Sequence, residues 1–108
     1  MKISYALYFN KDEGRKEYHL LNFDYFDGND YLAKLFVEKY GFQLIEKVDG
    51  IWFSSIQLRL ENIVYFCIWH EDIGNYVYSQ TQSLYDNNLL EERLQELISI
   101  LNSQLEEK

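Results

Sequence analysis

The stretch Ile56–Cys67, IQLRLENIVYFC, decides the fold because it holds two strand-like segments joined by a turn. Glu61-Asn62 separates the segments, and asparagine in such a turn tolerates a left-handed backbone. A two-residue loop sets three cross-strand pairs: Leu60 with Ile63, Leu58 with Tyr65 and Ile56 with Cys67. We therefore predict an antiparallel hairpin whose register is set by this turn.

The same register bears on whether the chain's single cysteine can act with a nearby histidine. Cys67 falls on the face of Ile56 and Leu58, which we expect to lie under the helices. Strand side chains alternate between faces, so His70 points the other way and the two groups cannot share a proton. We predict that Cys67 is an inert core thiol and that the chain is not an enzyme.

The segments around this hairpin predict further strands. Ile3–Phe9 alternates as a strand, a charged loop follows from Asn10 to Lys16, and Tyr18–Phe26 predicts a possible second strand. Val48–Ile51 contains Asp-Gly, which favours a two-residue type I′ turn. Beyond it, a bulge at Ser54-Ser55 would return Ile51 and Phe53 to the face of Ile56. A looser turn, Glu71–Asn75, leads to Tyr76–Tyr78.

Two helices complete the predicted fold. The first begins after N-cap oxygens at Asp27–Asp30 and ends at Gly41. The second runs from about Asp86 to Gln104, with Ser83 or Asp86 as its cap. Its buried stripe comprises Leu90, Leu94, Leu97, Ile98, Leu101 and Leu105. We predict one α+β domain, residues 1–108: an antiparallel sheet of four to five strands with two amphipathic helices packed on one face, in the order β-(β)-α-β-β-β-β-α.

Charge narrows the classes of partner. The net charge is −8, and residues 61–108 hold nine acidic residues but only two basic ones. Such a field repels nucleic acid and anionic membranes and favours a basic protein. The chain has no apolar run long enough to span a membrane. Its first residues are typical of a strand rather than a signal peptide, so we expect a cytoplasmic protein.

Metal and cofactor motifs are incomplete in this sequence. His70-Glu71-Asp72 begins like a zinc-protease motif but lacks the second histidine. Asp24, Asp27 and Asp30 are spaced by three, which departs from the alternating ligands of a calcium loop. We expect no catalytic residue, no metal and no cofactor, although eighteen acidic residues leave a carboxylate-pair hydrolase open.

The sequence offers two candidate surfaces. One is acidic and aromatic, and its predicted partner-binding residues are Asp24, Tyr25, Asp27, Tyr31, Glu71, Asp72, Tyr76, Tyr78 and Asp86. Tyrosines supply contact area at low entropic cost, and carboxylates steer a basic partner. The other is the second sheet face with Phe66, Ile68 and His70, whose apolar side chains need cover and could join two copies in a homodimer.

In its size, lone cysteine, acidic half Glu61–Glu107 and aromatic hairpins DGIWFSS and NIVYFCIWHEDIGNYVY, the chain resembles the small acidic immunity proteins of bacteria. The resemblance implies a cytosolic inhibitor that covers the active site of a cationic toxin domain, often a nuclease. Two alternatives stay open: a homo-oligomeric regulatory or sensory domain, and a phage-encoded anti-defence protein that mimics nucleic acid.

Overall fold

The structure, a computed structural model, describes residues 2–106. The predicted domain 1–108 and the acidic half ending at Glu107 therefore extend beyond the described residues. The elements are β1 Ser4–Asn10, β2 Arg15–Leu21, α1 Gly28–Tyr40, β3 Gln43–Asp49, β4 Phe53–Leu60, β5 Ile63–His70, β6 Gly74–Ser79 and α2 Leu84–Glu106.

All strands join one antiparallel sheet in the order β1-β2-β6-β5-β4-β3. The α+β class is confirmed, but the sheet has six strands where four to five were predicted. β2 begins at Arg15, inside the predicted loop, and ends at Leu21 rather than Phe26. The first residues of β2 are charged and do not show the alternation typical of a strand. Glu17 is nevertheless buried, because Arg15 and Asn10 donate hydrogen bonds to its carboxylate.

The β4–β5 hairpin has the predicted register, with Leu60 opposite Ile63 and Ile56 opposite Cys67. The left-handed residue in its turn is Glu61, with φ 56°, and not Asn62 as the turn chemistry of asparagine predicts. Cys67 is fully buried, and His70 lies on the opposite face across from Phe53. The predicted separation of the thiol from the imidazole is therefore confirmed.

The β3–β4 turn differs from the prediction. Asp49 pairs with Ser54, and the Gly50 N–H donates to the Phe53 carbonyl at 2.7 Å. Gly50 and Phe53 thus close the turn, and Ile51-Trp52 forms its tip. The predicted bulge at Ser54-Ser55 is wrong because the β4–β5 ladder runs unbroken through both serines. The register shift lies in β3 instead, between residues 44 and 46.

The helix ends match the sequence signals in part. Asp27 occupies the N-cap position of α1 without a side-chain capping bond, and Gly41 ends the helix at φ 79°. At α2, the Ser83 hydroxyl accepts the Asp86 N–H at 3.1 Å, which confirms Ser83 as the cap. Leu105, predicted to be buried, is exposed because it lines an open groove between the end of α2 and the start of α1.

Both helices pack on the same face of the sheet. The core combines strand residues such as Tyr18, Leu58 and Tyr65 with helix residues such as Phe36 and Leu94. Burial of such apolar side chains is the main stabilising contribution to the fold. Neither of the two described helices covers the other face. Neither is long and apolar enough to cross a membrane.

Candidate functional site: the acidic loop end

Three loops meet at one end of the sheet, and we call residues 22–30, 49–53 and 70–74 the loop end. They are brought together by the strand order, which places β2 beside β6 and β6 beside β5. The end of β2, the β5–β6 turn and the β3–β4 turn are therefore neighbours. This convergence follows from the sheet order and not from closeness in sequence.

Asn75 fixes the β2–α1 loop to β6. Its fully buried side-chain amide donates to the carbonyls of Phe23 at 3.0 Å and Tyr25 at 2.9 Å. Gly28 lies so close that a Cβ built on it would stand 2.4 Å from the Asn75 amide nitrogen. Only a residue without a Cβ leaves this contact undisturbed, so Gly28 and Asn75 together set the position of the loop.

The other two turns are also tied to each other. The Glu71 N–H donates to the Trp52 carbonyl at 2.9 Å, which joins the β5–β6 turn to the β3–β4 tip. The ring of Phe26 meets Trp69 edge to face at 6.4 Å. The three segments of the loop end thus form one connected surface.

Large apolar side chains project from this surface. Ile51 is 84% exposed, Phe26 73% and Trp52 60%. Folded proteins rarely expose such groups together unless they serve an interface. Aromatic anchors of this kind carry much of the affinity in protein complexes.

Six carboxylates surround these apolar groups, and the loop-end ranges contain no lysine or arginine. They belong to Asp24, Asp27, Asp30, Asp49, Glu71 and Asp72. Lys47 of β3 reaches in from outside, 2.7 Å from Asp30 and 3.9 Å from Asp49. The loop end remains strongly acidic, which favours a basic partner.

A groove of about 630 Å³ opens beside the loop end, between the start of α1 and the end of α2. Its lining is mainly apolar and includes Phe23, Tyr25, Leu101 and Leu105, with Asp27 at its edge. This volume is enough to receive side chains of a partner beside the β2–α1 loop.

The structure brings together most of the predicted partner-binding residues. Asp24, Tyr25, Asp27, Glu71 and Asp72 lie in the loop end. Tyr31 is one helical turn into α1, lines the groove, and its hydroxyl donates to Gln104 at 2.7 Å.

The remaining three predicted residues lie elsewhere. Asp86 sits in the first turn of α2, at the opposite end of the molecule. Tyr76 and Tyr78 lie on the sheet face that the helices leave open, pairing with Ile68 and Phe66. The predicted set thus divides into six residues at or beside the loop end and three distant from it.

The open face partly covers itself. The His19 and Tyr76 rings stack at 4.7 Å, Phe66 and Tyr78 stack at 5.0 Å, and Arg15 lies 3.7 Å from the Tyr78 ring centre. Ile68 is buried beneath neighbouring side chains although no helix lies over it. The aromatic groups of this face therefore need less outside cover than their composition suggests.

Glu17 anchors the charged part of that face. Its carboxylate contacts Arg15 at 2.8 Å and His19 at 2.9 Å. Burial alone would raise the pKa of Glu17, but the hydrogen bonds from Arg15, Asn10 and His19 lower it overall. The carboxylate is thus held ionised and neutralised within the face.

Sequence reasoning did not assign the large exposed apolar residues of the loop end to a candidate surface. Phe26, Ile51 and Trp52 were assigned to strands or a turn, not to a surface. A signal was present: two large apolar residues directly follow the Asp-Gly pair, where turns are usually polar. Large apolar residues in a turn therefore indicate that Ile51-Trp52 is a candidate contact surface.

Two kinds of chemistry can be examined in the described residues: thiol chemistry at Cys67 and metal binding. Burial raises the pKa of the Cys67 thiol well above its ordinary value, so the reactive thiolate is disfavoured. Within residues 2–106, no three histidine, cysteine or acidic side chains cluster as a metal site would need. No protein-family model, curated protein or solved structure matches this chain.

Proposed function

We propose that the protein is a non-catalytic, protein-binding inhibitor, most simply an immunity protein that neutralises a cationic, nuclease-like toxin domain through the loop end. The observation that carries this proposal is the exposed tip Ile51-Trp52 in a loop end with six carboxylates, where the Glu71 N–H donates to the Trp52 carbonyl. Apolar anchors and a single sign of charge on one rigid surface suit a basic protein partner.

Each part of the surface has a separate task in this proposal. The carboxylates attract the partner from a distance and speed association, an effect that salt weakens. Ile51, Trp52 and Phe26 then bury apolar area and slow dissociation. Carboxylates also take the place of phosphates in a site built for nucleic acid, which explains how binding would block a nuclease.

The tie between the turns supports tight binding. A surface already held in its bound shape loses little conformational freedom on association. The Glu71–Trp52 and Asn75–Tyr25 hydrogen bonds restrict the three loops that carry the anchors and acids. An inhibitor that must stay bound benefits from this preorganisation.

The experiment uses the purified chain as bait in extracts of the source cell, at low and high salt. A double variant, Ile51→Ser with Trp52→Ser, serves as a second bait. A matched control changes another adjacent exposed pair, Leu84→Ser with Tyr85→Ser, at 70% and 72% exposure in the first turn of α2. We expect the wild type and the control, but not the tip variant, to capture one basic protein.

The captured protein is then assayed with and without the chain. Stoichiometric loss of its toxic or nuclease activity supports the proposal. Capture of an acidic protein, or of a basic protein whose activity is unchanged, would contradict inhibition. Equal capture by all three baits would remove the loop end as the site.

A further inference from the structure

The two edges of the sheet are protected to different degrees. An edge strand presents unpaired N–H and C=O groups, and soluble proteins usually guard them with charges, bulges or proline. β3 is guarded in this way: its sequence QLIEKVD carries three charges, and its register shifts between residues 44 and 46. β1, with the sequence SYALYFN, carries no charge.

β1 is also regular and apolar. All seven of its residues pair with β2 without a shift, so its outer edge is straight. Leu7 and Phe9 are exposed on the helix side of the strand, and Tyr8 is exposed on the other side. A second strand could add to this edge and contact apolar side chains on both faces.

We propose that β1 pairs antiparallel with β1 of a second copy, forming a continuous twelve-stranded sheet about a two-fold axis. The strand itself argues for a second copy as the occupant, because it carries no charge that would repel its own copy although each chain has a net charge of −8. An antiparallel pair of identical strands is self-complementary, as a two-fold interface requires.

The strand sequence sets the register. With the axis at Leu7, this residue meets its own copy, Tyr5 meets Phe9, and Ala6 meets Tyr8, so the central pairs are all apolar or aromatic. The same register brings Lys2 of each strand opposite Asp12 of the other copy, in a turn that holds two acids, Asp12 and Glu13, and one base, Lys11. Opposite charges thus flank the apolar centre.

This interface leaves the apolar tip of the proposed inhibitor site free. β1 lies at one edge of the sheet, whereas the tip Ile51-Trp52 follows β3 at the other edge. A two-fold axis at Leu7 directs the two loop ends in opposite directions. The dimer would therefore offer two separate sites, and its formation does not depend on the proposed function.

The test is the solution mass of the chain by sedimentation equilibrium, from about 1 to 200 µM, a range that brackets weak homodimers. Leu7→Lys places two like charges opposite each other and should raise the dimer dissociation constant at least about tenfold. Leu44→Lys is the matched control, since Leu7 is 54% exposed and Leu44 is 56% exposed on the other edge. Circular dichroism verifies that both variants are folded.

A second measurement locates the axis. Antiparallel partners have Cα atoms about 4.5–5.5 Å apart, within the range that a disulfide spans. Oxidised Leu7→Cys should therefore form a covalent dimer, whereas Leu44→Cys should not, and the buried Cys67 does not compete.

A monomer across the whole concentration range would overturn the proposal, even if a strand of a different protein covers β1. So would a dimer that Leu7→Lys leaves unchanged, which is the result expected of an interface through Phe66, Ile68 and His70.

Discussion

Two consecutive hairpins share the strand β4 and end in tips of opposite chemistry. The β4–β5 tip is Glu61-Asn62, polar and typical of a turn in water. The β3–β4 tip is Ile51-Trp52, and both side chains project into solvent. The two tips lie at opposite ends of the same sheet, so the fold itself provides a comparison between a polar turn and an apolar one.

The difference shows which tip the fold explains. Glu61 adopts a left-handed backbone to close its hairpin, and its charge is solvated. Folding needs neither isoleucine nor tryptophan at the other tip, because exposed apolar groups add little stability. The loop end carries six acids without a base, while residues 10–16 and 59–62 near the opposite end hold four bases and three acids. Folding stability therefore does not account for the apolar tip, which is the basis for proposing it as a binding surface.

The largest expected effect comes from removing the apolar tip. Ile51→Ser with Trp52→Ser should weaken binding of the captured partner at least about 100-fold, since two central anchors are lost. The free energy of unfolding should change by less than about 1 kcal/mol because both side chains are exposed. Calorimetric titration and urea denaturation measure the two quantities, and an affinity loss matched by unfolding would contradict an interface role.

A somewhat smaller effect is expected at Gly28. The Cβ of Gly28→Ala would stand 2.4 Å from Asn75 and 2.8 Å from Phe23, so overpacking should cost about 1–3 kcal/mol of stability. Urea denaturation provides the measurement. Gly14→Ala is the control, with open space around its Cβ and φ 65°, and should cost only backbone strain of about 1 kcal/mol. Equal stability of Gly28→Ala and wild type would show that the loop is not held against Asn75.

Charge reversal at the loop end should act mainly on the association rate. We expect Glu71→Lys with Asp72→Lys to slow association about tenfold at low salt, with little effect at high salt. Asp12→Lys with Glu13→Lys makes the same change in net charge near the opposite end and should slow it much less. Stopped-flow kinetics at several salt concentrations measures the association rate of each variant. Equal slowing by both pairs would mean that net charge, and not the loop end, steers the partner.

Glycine at each tip should have small effects of opposite sign. Glu61→Gly relieves a left-handed backbone and should stabilise the chain by about 0.5–1 kcal/mol. Ile51 does not have a positive φ, so Ile51→Gly should destabilise it by about 0.5–1 kcal/mol through the entropy of the unfolded chain. Thermal denaturation compares both variants with wild type. The same sign at both positions would contradict the assigned turn geometries.

The sequence predicts those parts of the fold that depend on local signals. The Glu61-Asn62 turn gave the register of β4 with β5 and the burial of Cys67, because a two-residue loop leaves one pairing. Ser83 and Gly41 likewise marked helix ends through local hydrogen bonds and backbone conformation.

The predictions were wrong where contacts between different elements determine the structure. β2 starts at Arg15 although it is charged, because Arg15 of the same strand and Asn10 of β1 both bond the carboxylate of Glu17, which an alternation pattern does not reveal. The Asp-Gly signal placed the β3–β4 turn too early, since the Gly50–Phe53 hydrogen bond moves the tip to Ile51-Trp52. The loop end itself depends on β6 lying beside β2, a sheet order that no local pattern states.

The central claim is that the partner covers the loop end, and backbone hydrogen exchange of the chain with and without the captured partner tests it most directly. We expect added protection in residues 22–30, 49–53 and 70–74, and none in the Glu61-Asn62 turn. Protection confined to that turn, or to the open face around Phe66 and Tyr78, with the loop end unchanged, would contradict the account.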